Sequence, residues 1–160
     1  MTDTREKVTI GRTEYVWLVA TRQKKIPARI DTGARTTAIW ASDISETNGV
    51  LTWKFFAPGS EFFTGEICKT NKFEERIVMS STGHQEVRYL VPIVLQMKKR
   101  RVRTFCTLAD RAHATFPILI GRNTLMGKFI VDVSHSSRRL NELDDAGFNK
   151  LQNDLRGEDL

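Results

Sequence analysis

Apolar residues come along this chain in short runs, most of them alternating with polar ones. The segments TEYVWLVA (13–20), KKIPARI (24–30), VLTWKFF (50–56) and ERIVMS (75–80) are rich in β-branched and aromatic residues. EVRYLVPIVLQM (86–97), RVRTFCTLA (101–109), FPILI (116–120) and KFIVDV (128–133) continue the series. Such residues fit a pleated, half-buried surface, so each run predicts a strand. Val102, Thr104, Cys106 and Leu108 alternate with Arg103, Phe105 and Thr107, the period of two that puts one face inside. APGS, STGH, MKKR and ADRAHA supply turns between runs. About eight short strands with little helix between them predict an all-β barrel or sandwich. The period changes near the end. Leu140, Leu143, Phe148, Leu151 and Leu155 recur at close to 3.6 residues, which predicts an amphipathic helix over 139–155, weakened at Gly147. The division read from this is a barrel over 1–138 and a polar, acidic tail or helix over 139–160.

Composition adds a single core. With 160 residues and 40% hydrophobic content, the chain can bury one domain's worth of apolar surface. Charge adds an asymmetry. The chain has 25 basic and 19 acidic groups, and residues 141–160 hold six of the acids but only Lys150 and Arg156 of the bases, so residues 1–140 carry a net +10. A basic body fits an anionic partner, and an acidic tail can shield it. MKKRRVR (97–103) packs five bases into seven positions, and a solvated turn explains it better than a nucleic-acid site, so nucleic acid is not an expected partner. The stretch MTDTREKVTI has no apolar signal region and no apolar run is long enough to cross a bilayer, so no membrane partner is expected. Cys68 and Cys106 lie outside any C-x-x-C pattern and read as reduced thiols, which goes with a cytoplasmic location.

Two segments carry chemistry. IPARIDTGAR (26–35) runs an apolar strand straight into Asp31, a poor strand former, and then into Thr32 and Gly33. Gly33 would accept a positive φ or let another backbone approach, and Thr32 brings a hydroxyl on a stiff side chain. Asp31 is thus offered at an opening. Asp43 and Asp110 read instead as turn residues, and Asp132, in FIVDV, as a surface-facing strand position or half of a buried pair with an arginine. The second segment, FPILIGRNTL (116–125), runs an apolar strand into a glycine and a short helix. ARIDTGA followed at a distance by ILIGRNTL resembles the retropepsins, the single-domain aspartic proteases of retroviral type. DTGARTTAIWA with SSTGH, TLADR and FPILIGR is closer to a bacterial branch of that family that carries the label ATP-dependent zinc protease. The likeness covers most of residues 10–135.

The resemblance implies a closed acid-protease barrel with a short helix after Gly121-Arg122-Asn123, which would support the site. It implies a catalytic Asp31 with Thr32 and Gly33 beside it. Aspartic proteases need two carboxylates sharing a proton, since two charges so close cannot both form. One Asp-Thr-Gly per chain therefore implies a homodimer, with the second Asp31 coming from another copy. The hairpin 75–89 falls where retropepsins carry a flap, which puts Ser81, Thr82, Gly83 and His84 at its tip and, with Ala34 and Arg35, beside the substrate. Arg35 is a departure, because retropepsins have an acid there to pair with the arginine of Gly-Arg-Asn. Arg122 is left without an evident partner. Two arginines near a cleft suit carboxylates, and this branch is associated with glutamate-adding ligases, so the substrate implied is an acidic or glutamate-tailed peptide, or the chain's own acidic tail. The alternative is a non-catalytic retropepsin-like binding module whose basic face holds an anionic partner. Neither H-E-x-x-H nor G-x-x-x-x-G-K-[ST] occurs, and His84, His113 and His135 lie far apart. No metal and no cofactor is expected.

Overall fold

Alternation along the strands becomes the inside and outside of a closed barrel. The computed structural model describes residues 5–21, 24–79, 82–135 and 139–146. In chain order the elements are β1 (Val8–Ile10), β2 (Thr13–Leu18), a 3-10 turn (Val19–Thr21), β3 (Ile26–Ile30), β4 (Thr37–Thr47), β5 (Val50–Phe55) and β6 (Ile67–Thr70). They continue with β7 (Glu74–Met79), β8 (Gln85–Met97), β9 (Arg100–Ala109), β10 (Ile118–Ile120), helix α1 (Arg122–Leu125), β11 (Phe129–Val131) and a helix α2 over 139–146. Six strands close the barrel in the order β10-β3-β2-β8-β9-β4, with β4 returning to β10 through Ile118↔Ile39 and Leu119↔Ala38. Closure removes the open edges that a flat sheet would present. β10 runs parallel to β3, and β4 parallel to β9. β5 and β6 extend from β4, while β7 folds back along the first part of β8. β1 and β11 form a separate parallel pair, Val8↔Phe129 to Ile10↔Val131.

Inward positions take the apolar half of each alternation. Val16, Ile26, Ala28, Ile39, Val91, Leu95, Met97, Cys106, Ile118 and Ile120 are all wholly buried. Each large side chain among them contributes roughly 1.5–3 kcal/mol by leaving water. The predicted all-β barrel is therefore the fold, and it is fuller than the sequence runs indicated. β1, β4 and β6 were not among them. β4 hides because its second half is polar and contains Asp43, which sits at φ 50° where the pairing with β5 slips between Ser42 and Ser45. Asp43 is thus a bulge residue inside a strand, not a turn, and Lys54 Nζ meets its Oδ2 at 2.7 Å. Asp110 does make a turn, accepting the Ala112 amide at 3.0 Å. Asp132 falls just past β11 and is exposed. Its Oδ1 accepts from Ser134 Oγ at 2.6 Å and Ser134 N at 2.9 Å, bonds that hold its carboxyl below the usual range.

The helix expected over 139–155 is present over 139–146, and the rest of it lies outside the described residues. Leu140 is buried against the barrel, and Arg12 ties the helix down through Asp145 at 2.8 Å and Asp144 at 3.4 Å. Part of the MKKRRVR run is structural. Arg100 is 7% exposed and donates Nη1 to the carbonyls of Glu6 and Lys128, both at 3.2 Å, while Lys98 meets the buried Glu14 at 3.3 Å. Among the described residues no helix is long and apolar enough to cross a membrane.

Candidate active site

Asp31 leaves the barrel at the end of β3. The amide of Ile30 donates to the carbonyl of Arg12 at 2.8 Å and that of Asp31 to Ile120 at 2.9 Å, so the backbone is held on both sides up to the acid itself. The half-buried carboxylate then turns back on its own loop. Oδ1 accepts from the amides of Gly33 at 2.9 Å and Ala34 at 3.0 Å, and among the described residues Oδ2 has no hydrogen-bond partner. One oxygen is fixed and the other is available. Gly33 serves by its size and not by a positive φ: a Cβ there would stand 3.2 Å from Asp31 Oδ1.

FPILIGRNTL builds the support beneath this loop. The amides of Arg122 and Asn123 donate to the carbonyls of Ala34 at 2.9 Å and Arg35 at 3.1 Å. Arg122 Nη1 donates to Gly33 O at 2.7 Å and Thr32 O at 3.2 Å, which identifies the partner that sequence alone could not supply. It holds the Asp31 loop by carbonyls, so no carboxylate is needed at position 35. Asn123 Oδ1 accepts the Thr37 amide at 2.9 Å, and its Nδ2 donates to Phe105 O at 2.7 Å and Thr104 Oγ1 at 3.1 Å. The buried Thr37 Oγ1 accepts from Gly121 N at 3.0 Å and lies 2.6 Å from Thr124 Oγ1. Gly121 must be glycine here, since a Cβ would stand 2.5 Å from the carbonyl carbon of Thr36. Gly121, Arg122 and Asn123 are thus brought directly to Asp31, Thr32, Gly33 and Ala34. Arg35 is exposed, with its backbone alone engaged.

The hairpin 75–89 is present as β7 and β8, in register from Glu74↔Leu90 to Met79↔Gln85. Of its tip, Ser81 lies outside the described residues, whereas Thr82, Gly83 and His84 are exposed and Gly83 takes φ 82°. Ile77, Met79 and Val87 form an exposed apolar face on it, 69%, 65% and 53% accessible.

Sequence reasoning missed Arg111. It falls in ADRAHA, a stretch that reads as a turn, although it also ends the TLADR motif. The side chain is half-buried and donates Nε to Phe116 O at 3.0 Å. Burial first, and then the nearby Arg88 and Arg29, lower its pKa, while the nearby Asp31 acts the other way. Arg88, Arg29 and Asp31 are thus all near enough for their charges to act on Arg111. Burial raises the pKa of Cys68 and, more strongly, of Cys106, which keeps both as thiols. Among the described residues no three His, Cys, Asp or Glu side chains could hold a metal ion together, so no zinc site is found there. A hollow of about 540 Å³ bordered by Trp53, Cys68 and Ile93 includes none of the loop residues.

Residues 9–142 match the model of a family described as RimB-like, retropepsin-like aspartic endopeptidase RimB. Two curated relatives are each named "Probable alpha-L-glutamate ligase". That of Shewanella pealeana is 28% identical over 142 residues, 81% of this chain and 29% of that protein. That of Desulfotalea psychrophila is 27% identical over 138 residues, 79% of this chain and 28% of that protein. This chain thus spans less than a third of the length of either relative. Among solved structures, Lpg0085 of Legionella pneumophila, a protein of unknown function, superposes with a TM-score of 0.65 at 18% identity, covering 83% of this chain and 98% of that one. That likeness is one of fold. The zinc and ATP of the bacterial label have no counterpart in these descriptions, while its retropepsin part does. Because the family match runs from β1 into α2, over barrel, loop and support alike, the chain belongs to the RimB-like family of retropepsin-like aspartic endopeptidases.

Proposed function

We propose that the chain is an aspartic-type peptidase whose dyad is made by Asp31 of two copies. The observation that carries this is the state of the Asp31 carboxylate, with Oδ1 fixed by two amides and Oδ2 left to share a proton. With one Asp-Thr-Gly in the chain, the second carboxylate has to come from a second copy. The ionised member takes a proton from a water, whose oxygen attacks the scissile carbonyl. The protonated member donates to the carbonyl oxygen as it gains charge, and the amine leaves with a proton from the dyad. Thr32, exposed beside Asp31, would bond to the facing loop. Phe105, whose carbonyl accepts from Asn123, and Met126, just after α1, are 53% and 74% exposed and would supply apolar surface for a dimer to bury.

The substrate favoured is an acidic or glutamate-tailed peptide. The naming of relatives as glutamate ligases supports it, as does the basic body. Arg122 does not, since it is spent on the loop's own carbonyls. The second reading, a binding module without catalysis, draws on the same net charge. It is weakened by Lys98 and Arg100, which hold the fold together.

The test is sedimentation equilibrium of the wild type and Asp31→Asn, with hydrolysis of a glutamate-rich peptide followed from about pH 4 to 8. A dimer with a bell-shaped pH profile is expected, and Asp31→Asn should lose activity by at least ~10³-fold. A monomer at every concentration, or cleavage indifferent to Asp31, ends the shared-dyad reading. Intact mass after incubation, compared between the two proteins, shows in addition whether the acidic tail is a substrate.

A further inference from the structure

Among the described residues Arg111 is a cation without a counter-ion of its own. It is half-buried, and its Nε bond to Phe116 O fixes the guanidinium plane while leaving both Nη groups. Among the described residues it makes no ion pair. Its charged neighbours are Arg88, Arg29 and Asp31. Two of these add positive charge, and each already has an acid. Arg88 Nε meets Glu86 Oε1 at 3.1 Å on the flap strand β8, and Arg29 reaches Asp144 of α2 at 3.7 Å. Arginine does not escape such a setting by losing its proton, so the cost persists until an anion arrives. An anion that neutralises Arg111 would lie close to Arg88 of the flap strand and within range of the Asp31 charge, on the side where the peptidase reading puts the peptide.

We infer that Arg111 is a specificity-determining residue that receives a carboxylate of the bound peptide, with Arg88 as a second donor. This rests on the peptidase reading and gives its substrate a recognition element that Arg35 and Arg122 do not supply. Glu86 is the resident counter-ion that the incoming carboxylate displaces from Arg88. Two sources offer this chemistry, an acidic side chain or the peptide's own C-terminal carboxylate.

Three fluorescein-labelled peptides separate them: a C-terminally amidated one with two adjacent glutamates, its glutamine counterpart, and the glutamine peptide with a free C-terminus. Binding is read by anisotropy in an Asp31→Asn background, and kcat and KM with Asp31 intact. Arg111→Gln is expected to weaken the carboxylate-bearing peptide about ten-fold or more, through KM and not kcat, and to leave the all-amide peptide unchanged. Arg111→Lys should keep part of the preference, having the charge without the fork. Glu86→Gln should tighten the same peptide. If the sensitive peptide is the glutamate one, the site reads side chains; if it is the free acid, it reads chain ends. Equal losses on all three peptides would reduce Arg111 to a structural role, and no loss on any, or no binding at all, overturns the inference. Discrimination that depends on Arg111 without any cleavage would instead sink the peptidase reading and leave the carboxylate site standing.

Discussion

The support under Asp31 and the β7–β8 hairpin are both built from ordinary backbone and small side chains, yet they are held in opposite ways. Under the acid, Thr37, Thr124 and the amide of Gly121 are buried and bonded to one another, and Arg122 closes the loop from outside. In the hairpin, every residue of β7 but one is exposed, and β7 is paired by backbone to β8 alone among the described strands. Under the shared-dyad proposal, a carboxylate that meets its twin to within a fraction of an ångström has to be immobile. A segment that admits and releases a peptide has to have other conformations within reach. The contrast between the two regions matches the division of labour that the proposal assigns to them.

Gly121→Ala attacks the stiff side hardest. Its Cβ would fall 2.5 Å from the Thr36 carbonyl carbon and 2.8 Å from Thr37 N, backbone that cannot move without moving the loop. A loss of about 3 kcal/mol in urea unfolding is expected, together with loss of peptide cleavage. A tolerated alanine would mean that the support is as pliable as the hairpin. Thr37→Val is subtler, nearly equal in shape but without the hydroxyl that accepts Gly121 N. It leaves a buried donor unsatisfied, and roughly 1–3 kcal/mol should go, measured the same way. Gly83→Ala probes the soft side. At φ 82° a side chain costs about 1 kcal/mol locally, but the tip touches little that an alanine would disturb. Global stability should fall by no more than about 1 kcal/mol while kcat shifts a few-fold. If Gly83→Ala unfolded the protein as readily as Gly121→Ala, the contrast between the two regions would be false.

Much of this was legible in the chain itself. Strands whose apolar residues alternate could be found because one face of each is buried, and Asp31 stood out because nothing about a strand wants an aspartate at its end. What escaped depends on contacts between distant residues. β4 is polar for half its length because it leaves the barrel to pair with β5 alone, and a bulge at Asp43 breaks its alternation. β1 is three residues that pair with β11, far along the chain. Arg122 was sought beside an acid, whereas its partners are carbonyls, which every residue has and no sequence marks. Arg111 looked like turn filler because its significance lies in which charges surround it, and in which do not.

The pairing of β1 with β11 stitches the first and last strands of the described unit together within one chain. This small sheet is complete within one copy and stands apart from the barrel, which β4 and β10 close. Were the dyad shared between two such self-contained units, dilution would act as a switch. Below the dissociation constant the rate would rise with the square of the amount of protein, and the cell could set the activity through expression level alone.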